Sequence, residues 1–298
     1  MAVSLASPGR SRTIDLGGLV HFVEHEGPAD RTFVLVHGLG GAAINWAAVA
    51  PGLATLGRVL ALDLPGFGHS SWRPGASTVD RLRETLARFL RAMTGGPVVL
   101  VGNSLGGMIA MLQASVEPAS VQALVLACPV LLPVPFGSHD RAVTSLFTLT
   151  TAPLLGRWLT ERHRQRTTPE QATDQMLSLC GLKLDQLDPA VLEAHHALGR
   201  ERVALDWSIP AYVEASRSLL TRLFSQRRQV AQAIGRVRAP TLLLQGDRDR
   251  LVLPAMSAAV ARLRPDWHHL VLPGIGHTPM LQEPAAFVSH VARFLTPD

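Results

Sequence analysis

Cysteine is scarce in this sequence, with only Cys128 and Cys180 among 298 residues. That excludes a disulfide framework, and the two positions have no metal-site spacing. Both are expected to behave as small buried apolar residues. Lysine is scarcer still: Lys183 stands alone, so arginine supplies the rest of the basic charge. Charged residues make up only 17% of the chain and the net charge is +5. The basic residues are scattered, with Arg162, Arg164 and Arg166 as their densest run. A nucleic-acid binder would gather them on one face, so no nucleic-acid partner is expected. No apolar run of about 18 residues escapes interruption by proline, glycine or polar residues, which argues against an integral membrane segment. The first residues, MAVSLASPGRSR, carry no sustained apolar stretch of the kind a secretory signal needs, so a cytoplasmic location is the expectation. Apolar residues make up 47%, enough for a large core without a metal or cross-link to hold it.

What is present is a regular alternation. After a loose tail at 1–12, a hairpin is expected around Gly17-Gly18. Short apolar runs then recur at 32–38, 58–64, 97–103, 121–127, 240–246 and 268–274. They are continuously apolar, as strands are when helices cover both faces of a parallel sheet. Helical patterns lie between them. One follows Ser77 and Asp80, which offer a capping-box pattern, and carries the apolar stripe Leu82, Leu86, Phe89 and Leu90. The last helix is expected from Pro284. Strand–helix alternation of this kind means an α/β fold with a mostly parallel sheet. Residues 130–235 break the rhythm: Pro129, Pro133 and Pro135 mark its start and helical patterns follow, with no strong strand. The division expected is a core from 13–129 and 236–298, with 130–235 as a helical insertion.

The chemistry concentrates where strands end. Gly102, Ser104 and Gly106 form G-x-S-x-G between an apolar strand and a helical run. That context puts Ser104 on a tight strand-to-helix turn, with its hydroxyl out at the carboxyl edge of the sheet. A serine hydroxyl needs a base to become a nucleophile, and the base is expected to be a histidine oriented by a carboxylate. His277, between the last strand and the last helix, reaches the same edge. His268 and His269 lie within a strand, and His195 and His196 in the insertion; His69 and His139 read as solvated turn residues. Asp247 and Asp249 follow the preceding strand. The loop must first leave the strand at Gly246, which favours Asp249 for the base and leaves Asp247 to brace the loop. An oxyanion would need two N–H donors. Leu105, just after Ser104, offers one, and Leu39 in HGLGG the other. His37 reads as a loop brace.

HGLGG (37–41), DLPGFGHS (63–70), GNSLGG (102–107), GDRD (246–249) and Gly276-His277 together resemble the α/β-hydrolase superfamily over about 14–295. The resemblance implies an eight-stranded, mostly parallel sheet flanked by helices, with a helical cap after the sixth strand. It also implies catalytic Ser104, Asp249 and His277, with no metal or organic cofactor. Serine at the elbow separates the chain from the dehalogenase and epoxide-hydrolase branches, whose nucleophile is a carboxylate. GNSLGG is similar to the elbow of carbon–carbon bond hydrolases acting on ring-cleavage products, but those commonly carry tryptophan just after the catalytic histidine, where Thr278 stands here. The reading is a serine hydrolase of small apolar carboxylic esters. A carbon–carbon hydrolase and a triad-bearing ligand receptor are the alternatives. Gly38, Asn103, Met108, Phe136, Phe147, Trp158 and Trp207 are the candidates for shaping the pocket.

Overall fold

A computed structural model describes residues 9–132, 162 and 166–296. Eight strands form one sheet in the order β1-β2-β4-β3-β5-β6-β7-β8. They are β1 (Arg10–Asp15), β2 (Leu19–His25), β3 (Thr32–Val36), β4 (Arg58–Leu62), β5 (Val98–Asn103), β6 (Val121–Ala127), β7 (Thr241–Gly246) and β8 (His268–Leu272). β1 and β2 pair antiparallel as a hairpin, β2 runs antiparallel to β4, and all later pairings are parallel. The tail is shorter than expected. β1 already begins at Arg10, because its backbone pairs along β2 and Arg12 bonds the buried Glu24 carboxylate at 2.5 Å.

The continuously apolar strands have a direct cause. Along β3, Val34 and Val36 enter the core on one face while Phe33 and Leu35 enter the core on the other. Period-two geometry sends successive side chains to opposite faces, so a sheet covered on both sides needs apolar residues at every position. The first face is covered by α2 (Val79–Met93) and α3 (Leu105–Val116), the second by α1 (Ala50–Ala54) and α10 (Pro284–Leu295). Trp46 and Phe287 meet in the second core, both fully buried. The cap of α2 differs from the sequence pattern by one residue. Thr78 accepts from Arg81 N–H, while Ser77 turns inward and donates to Pro65 O at 2.8 Å.

Between β6 and β7 the described elements are helical: α4 (Pro169–Leu179), α5 (Pro189–Val203), α6 (Ser208–Leu220) and α7 (Arg227–Arg236). α6 and α7 are separated by a π turn at Thr221–Ser225 rather than forming the continuous helix that the pattern at 209–234 suggests. α7 buries Val230, Ala233 and Ile234 in the core shared with α3. The helical pattern at 140–160 lies outside the described residues, as do Phe136, His139, Phe147 and Trp158. The C-terminal part continues with α8 (Pro254–Leu263) and α9 (Pro279–Gln282) before α10. No helix among the described residues is long and apolar enough to cross a membrane.

Candidate active site

β5 ends at Asn103 and α3 begins at Leu105, so Ser104 alone makes the turn between them. Its backbone has φ +55°, a left-handed conformation that side chains other than glycine seldom adopt. Strain of this kind persists only where the surroundings enforce it. Here the enforcement is close packing. A Cβ on Gly102 would lie 2.4 Å from Gly106 O, and one on Gly106 would lie 2.1 Å from Val36 O. Both positions need glycine so that strand and helix can approach this closely. Ser104 N–H is held by Ala127 O at 3.1 Å, and Ser104 O accepts from Met108 and Val130 N–H.

Asp249 and His277 come from the loops after β7 and β8, at the same sheet edge. His277 Nδ1 bonds Asp249 Oδ2 at 2.7 Å, and the two residues are 5% and 2% exposed. The other oxygen, Asp249 Oδ1, accepts from Leu251 and Val252 N–H at 2.9 Å each. Gln245 Nε2 adds a longer contact to Oδ2 at 3.3 Å. The carboxylate is therefore fixed on both sides, and the imidazole that it holds has one defined orientation. Asp247 instead accepts Gly274 N–H at 2.7 Å and braces the neighbouring loop. Asn103 ties the two halves together: its amide donates to Ala127 O at 3.0 Å and to His277 O at 3.1 Å, across 174 positions of sequence. Those bonds occupy the Asn103 amide within the scaffold. His277 N–H donates to Cys180 O at 2.8 Å, so the histidine is also tied to the segment between β6 and β7.

The HGLGG loop closes over Ser104. A Cβ on Gly38 would stand 3.0 Å from Ser104 Cβ, which places the loop backbone against the elbow. His37 is buried within the loop. Its Nδ1 donates to Gly38 O at 2.7 Å and its Nε2 accepts Leu64 N–H at 3.0 Å. The Leu64 bond requires an unprotonated Nε2 and so the neutral ring, and burial pushes the pKa down to about 4. Leu39 N–H and Leu105 N–H have no partner among the described residues. Asp63 steadies the far end of the loop, accepting from Ala43 N–H at 2.6 Å, His69 N–H at 2.8 Å and His21 Nδ1 at 2.7 Å. Burial alone would raise the Asp63 pKa, but the His21 bond and the backbone donors outweigh it and hold the carboxyl below its usual range.

Several expected roles fall elsewhere. Met108 is fully buried in the apolar core under α3. Trp207 lines a cavity of about 280 Å³ with Leu19, His69 and Arg202, and Ser104 is not among the residues of that cavity. His69 is not simply solvated, since its Nε2 bonds Glu201 on α5 at 2.8 Å. Two residues near the site gave no signal in the sequence. Cys128, at φ +47°, sits under the Asp249–His277 pair and receives Gly246 N–H at 3.5 Å. Burial, then the Asp249 charge, pushes its thiol well above the usual range. Arg202, from the end of α5, reaches the HGLGG loop. Cys128, Asp249 and His277, and separately His21, Asp63 and His69, bring possible metal-ligating atoms within 4.8 Å of one another. In each group the carboxylate and one histidine nitrogen already share a hydrogen bond.

The comparison with known proteins is consistent in fold and divided in chemistry. A family model described as the alpha/beta hydrolase fold matches residues 31–284. A pimeloyl-[acyl-carrier protein] methyl ester esterase of Sodalis glossinidius is 28% identical over 284 residues, covering 92% of this chain and 96% of that protein. A 2-hydroxy-6-oxo-6-(2'-aminophenyl)hexa-2,4-dienoic acid hydrolase of Metapseudomonas resinovorans is 27% identical over 269 residues, covering 88% and 83%. The crystal structure of Cfl2 from Burkholderia cenocepacia superposes with a TM-score of 0.82 at 24% identity, covering 99% of this chain and 98% of that one, a likeness of fold. Across the curated relatives, the aligned share of the relative's own length runs from 31% to 98%.

Proposed function

This chain belongs to the α/β hydrolase fold family, and from that premise we propose that it is a serine hydrolase cleaving carboxylic esters through an acyl-serine. The observation that carries the reading is the buried His277–Asp249 pair, fastened by Asn103 to the elbow at Ser104. In this mechanism Ser104 Oγ attacks the ester carbonyl carbon. His277 Nε2 takes the serine proton and then gives it to the departing alcohol. Asp249 keeps the Nδ1–H tautomer in place and stabilises the imidazolium. The N–H groups of Leu39 and Leu105, without a partner among the described residues, receive the negative oxygen of the tetrahedral intermediate, where each such donor contributes roughly 3 kcal/mol. Water, deprotonated by His277, then releases the acid and restores Ser104. The helices between β6 and β7 act as a cap over the site.

The relative from Sodalis glossinidius supports ester cleavage by its own name. The relative from Metapseudomonas resinovorans supports the second reading, in which the same three residues cleave a carbon–carbon bond of a ring-fission product. Thr278, buried where a tryptophan is common in that branch, favours the ester.

The test is turnover of p-nitrophenyl esters of graded acyl length by the wild type and by Ser104→Ala. Ester turnover that falls at least 10³-fold in Ser104→Ala, with melting unchanged, supports the reading. Absence of ester turnover together with loss of colour from a ring-fission dienoate assigns the chain to carbon–carbon cleavage instead.

A further inference from the structure

The shape of the HGLGG loop can be followed bond by bond. Gly38 O accepts from His37 Nδ1 at 2.7 Å and from Gly41 N–H at 3.0 Å. Ala42 N–H donates to Asn45 Oδ1 at 2.8 Å and Ala43 N–H to Asp63 Oδ1 at 2.6 Å. These partners all lie in the strands and turns next to the loop. Two further bonds come from the segment between β6 and β7: Arg202 Nη1 donates to Gly40 O and Nη2 to Gly41 O, both at 2.6 Å, across 162 and 161 positions. The Tyr212 ring of α6 lies beside Gly40. Arg202 is partly buried, with Asp63 as its opposite charge.

Peptide geometry connects these bonds to Leu39. In a trans peptide, C=O and N–H point in opposite directions. Arg202 holds Gly40 O, which fixes the Gly40–Gly41 peptide and aims Gly41 N–H at Gly38 O. Gly38 O, so held, fixes the Gly38–Leu39 peptide and turns Leu39 N–H to the opposite side, in a loop whose Gly38 packs against Ser104. Two rigid planes thus lie between the arginine and the donor. A guanidinium fork can hold two carbonyls at once, which a lysine ammonium on a flexible stem does far less well.

We propose that Arg202 is a positioning residue for the oxyanion hole, so that the hole is formed only when α5 is seated on the HGLGG loop. This rests on the serine-hydrolase reading above. The inserted segment then shapes the reaction centre besides covering it, and its seating controls the barrier for acylation.

The experiment compares wild type, Arg202→Met and Arg202→Lys. Two quantities are read: the rate at which an alkyl fluorophosphonate labels Ser104, followed by intact mass, and the kcat and KM for a p-nitrophenyl ester. Phosphonylation builds a tetrahedral centre whose oxygen needs the same N–H groups, and it requires no knowledge of the natural substrate. The expected result is a fall of about 10–100-fold in labelling rate and in kcat for Arg202→Met, with KM changed less than about threefold. Arg202→Lys falls between. Circular-dichroism melting identifies the folded variants, and if Arg202→Met does not fold, Arg202→Lys is judged by the same pair of rates. Labelling and kcat within twofold of wild type in the folded variant overturn the proposal. So does a loss confined to KM. Failure of the wild type itself to label at Ser104 overturns the serine-hydrolase reading instead, which keeps the two outcomes apart.

Discussion

Replacing Asp249 by asparagine changes one atom and has a calculable consequence. Oδ1 accepts two backbone N–H groups at 2.9 Å, from Leu251 and Val252. An amide NH₂ turned towards them would leave donors facing donors, at about 1–3 kcal/mol for each unsatisfied group. The carbonyl oxygen of the asparagine therefore stays there, and its NH₂ takes the place of Oδ2, 2.7 Å from His277 Nδ1. The amide then donates to Nδ1 and forces the proton onto Nε2, the nitrogen that must accept from Ser104. With the ring in the wrong tautomer, kcat falls about 10⁴-fold. At 1.36 kcal/mol per tenfold, that is about 5 kcal/mol in the barrier. Stability suffers far less, by about 1–3 kcal/mol, because the two backbone bonds remain. The assay is ester turnover at neutral pH with a melting curve alongside. Asp247→Asn is the control: the Asp247 carboxylate accepts Gly274 N–H in an exposed loop, away from His277, and its variant keeps activity within about threefold. Asp249→Asn retaining a tenth or more of wild-type kcat refutes the argument, as does an equal loss in Asp247→Asn.

Two further outcomes follow from the structure. Gly102→Ala places a methyl group 2.4 Å from Gly106 O and 2.7 Å from Gly107 N, backbone that cannot swing aside. Overpacking of about 3 kcal/mol lowers the melting temperature by roughly 6–12 °C, and a melt within 2 °C of wild type would show that strand and helix have room to part. His37 has its pKa lowered from 6.5 to about 4, so the unfolded chain binds a proton there before the native protein does. Its contribution is complete above pH 6.5 and lost as pH falls towards 4, at most about 3 kcal/mol. Urea unfolding from pH 7 to 4 reads the loss, and NMR shows the His37 ring neutral at pH 5; a ring that titrates near 6.5 contradicts the buried, doubly bonded imidazole.

What the sequence made legible is local. Ser104, Asp249 and His277 each close an apolar strand, and a short loop leaves a side chain little choice of edge. The alternation of strands and helices was legible for the same reason, since both faces of β3 to β7 must be apolar. What escaped depends on contacts across long stretches of chain. Arg202 gave no signal because its partners, Gly40 and Gly41, are some 160 positions away and offer only backbone carbonyls. Trp207 is of the residue type that lines pockets, yet the cavity it lines also holds His69 and Leu19 and does not include Ser104. Ser77 matched a capping pattern, but Pro65 O claims its hydroxyl and the neighbouring Thr78 caps α2 instead. Local pattern cannot choose between adjacent hydroxyls when one of them has a tertiary partner.

The placement of β7 has a consequence for how the chain is made. β6 ends at Ala127, and the strand that covers its far edge begins only at Thr241. On a ribosome adding about 5–20 residues per second, the roughly 110 intervening residues take roughly 6–20 s to appear. Throughout that interval Leu124, Val125, Leu126 and Ala127 present an apolar strand with unpaired backbone groups. An edge of that kind recruits any other extended chain nearby, including the same strand on a neighbouring polysome. The length of chain between β6 and β7 therefore sets how long each newborn molecule needs shelter from its siblings, a burden that falls on the cell's chaperones and is invisible once β7 has docked.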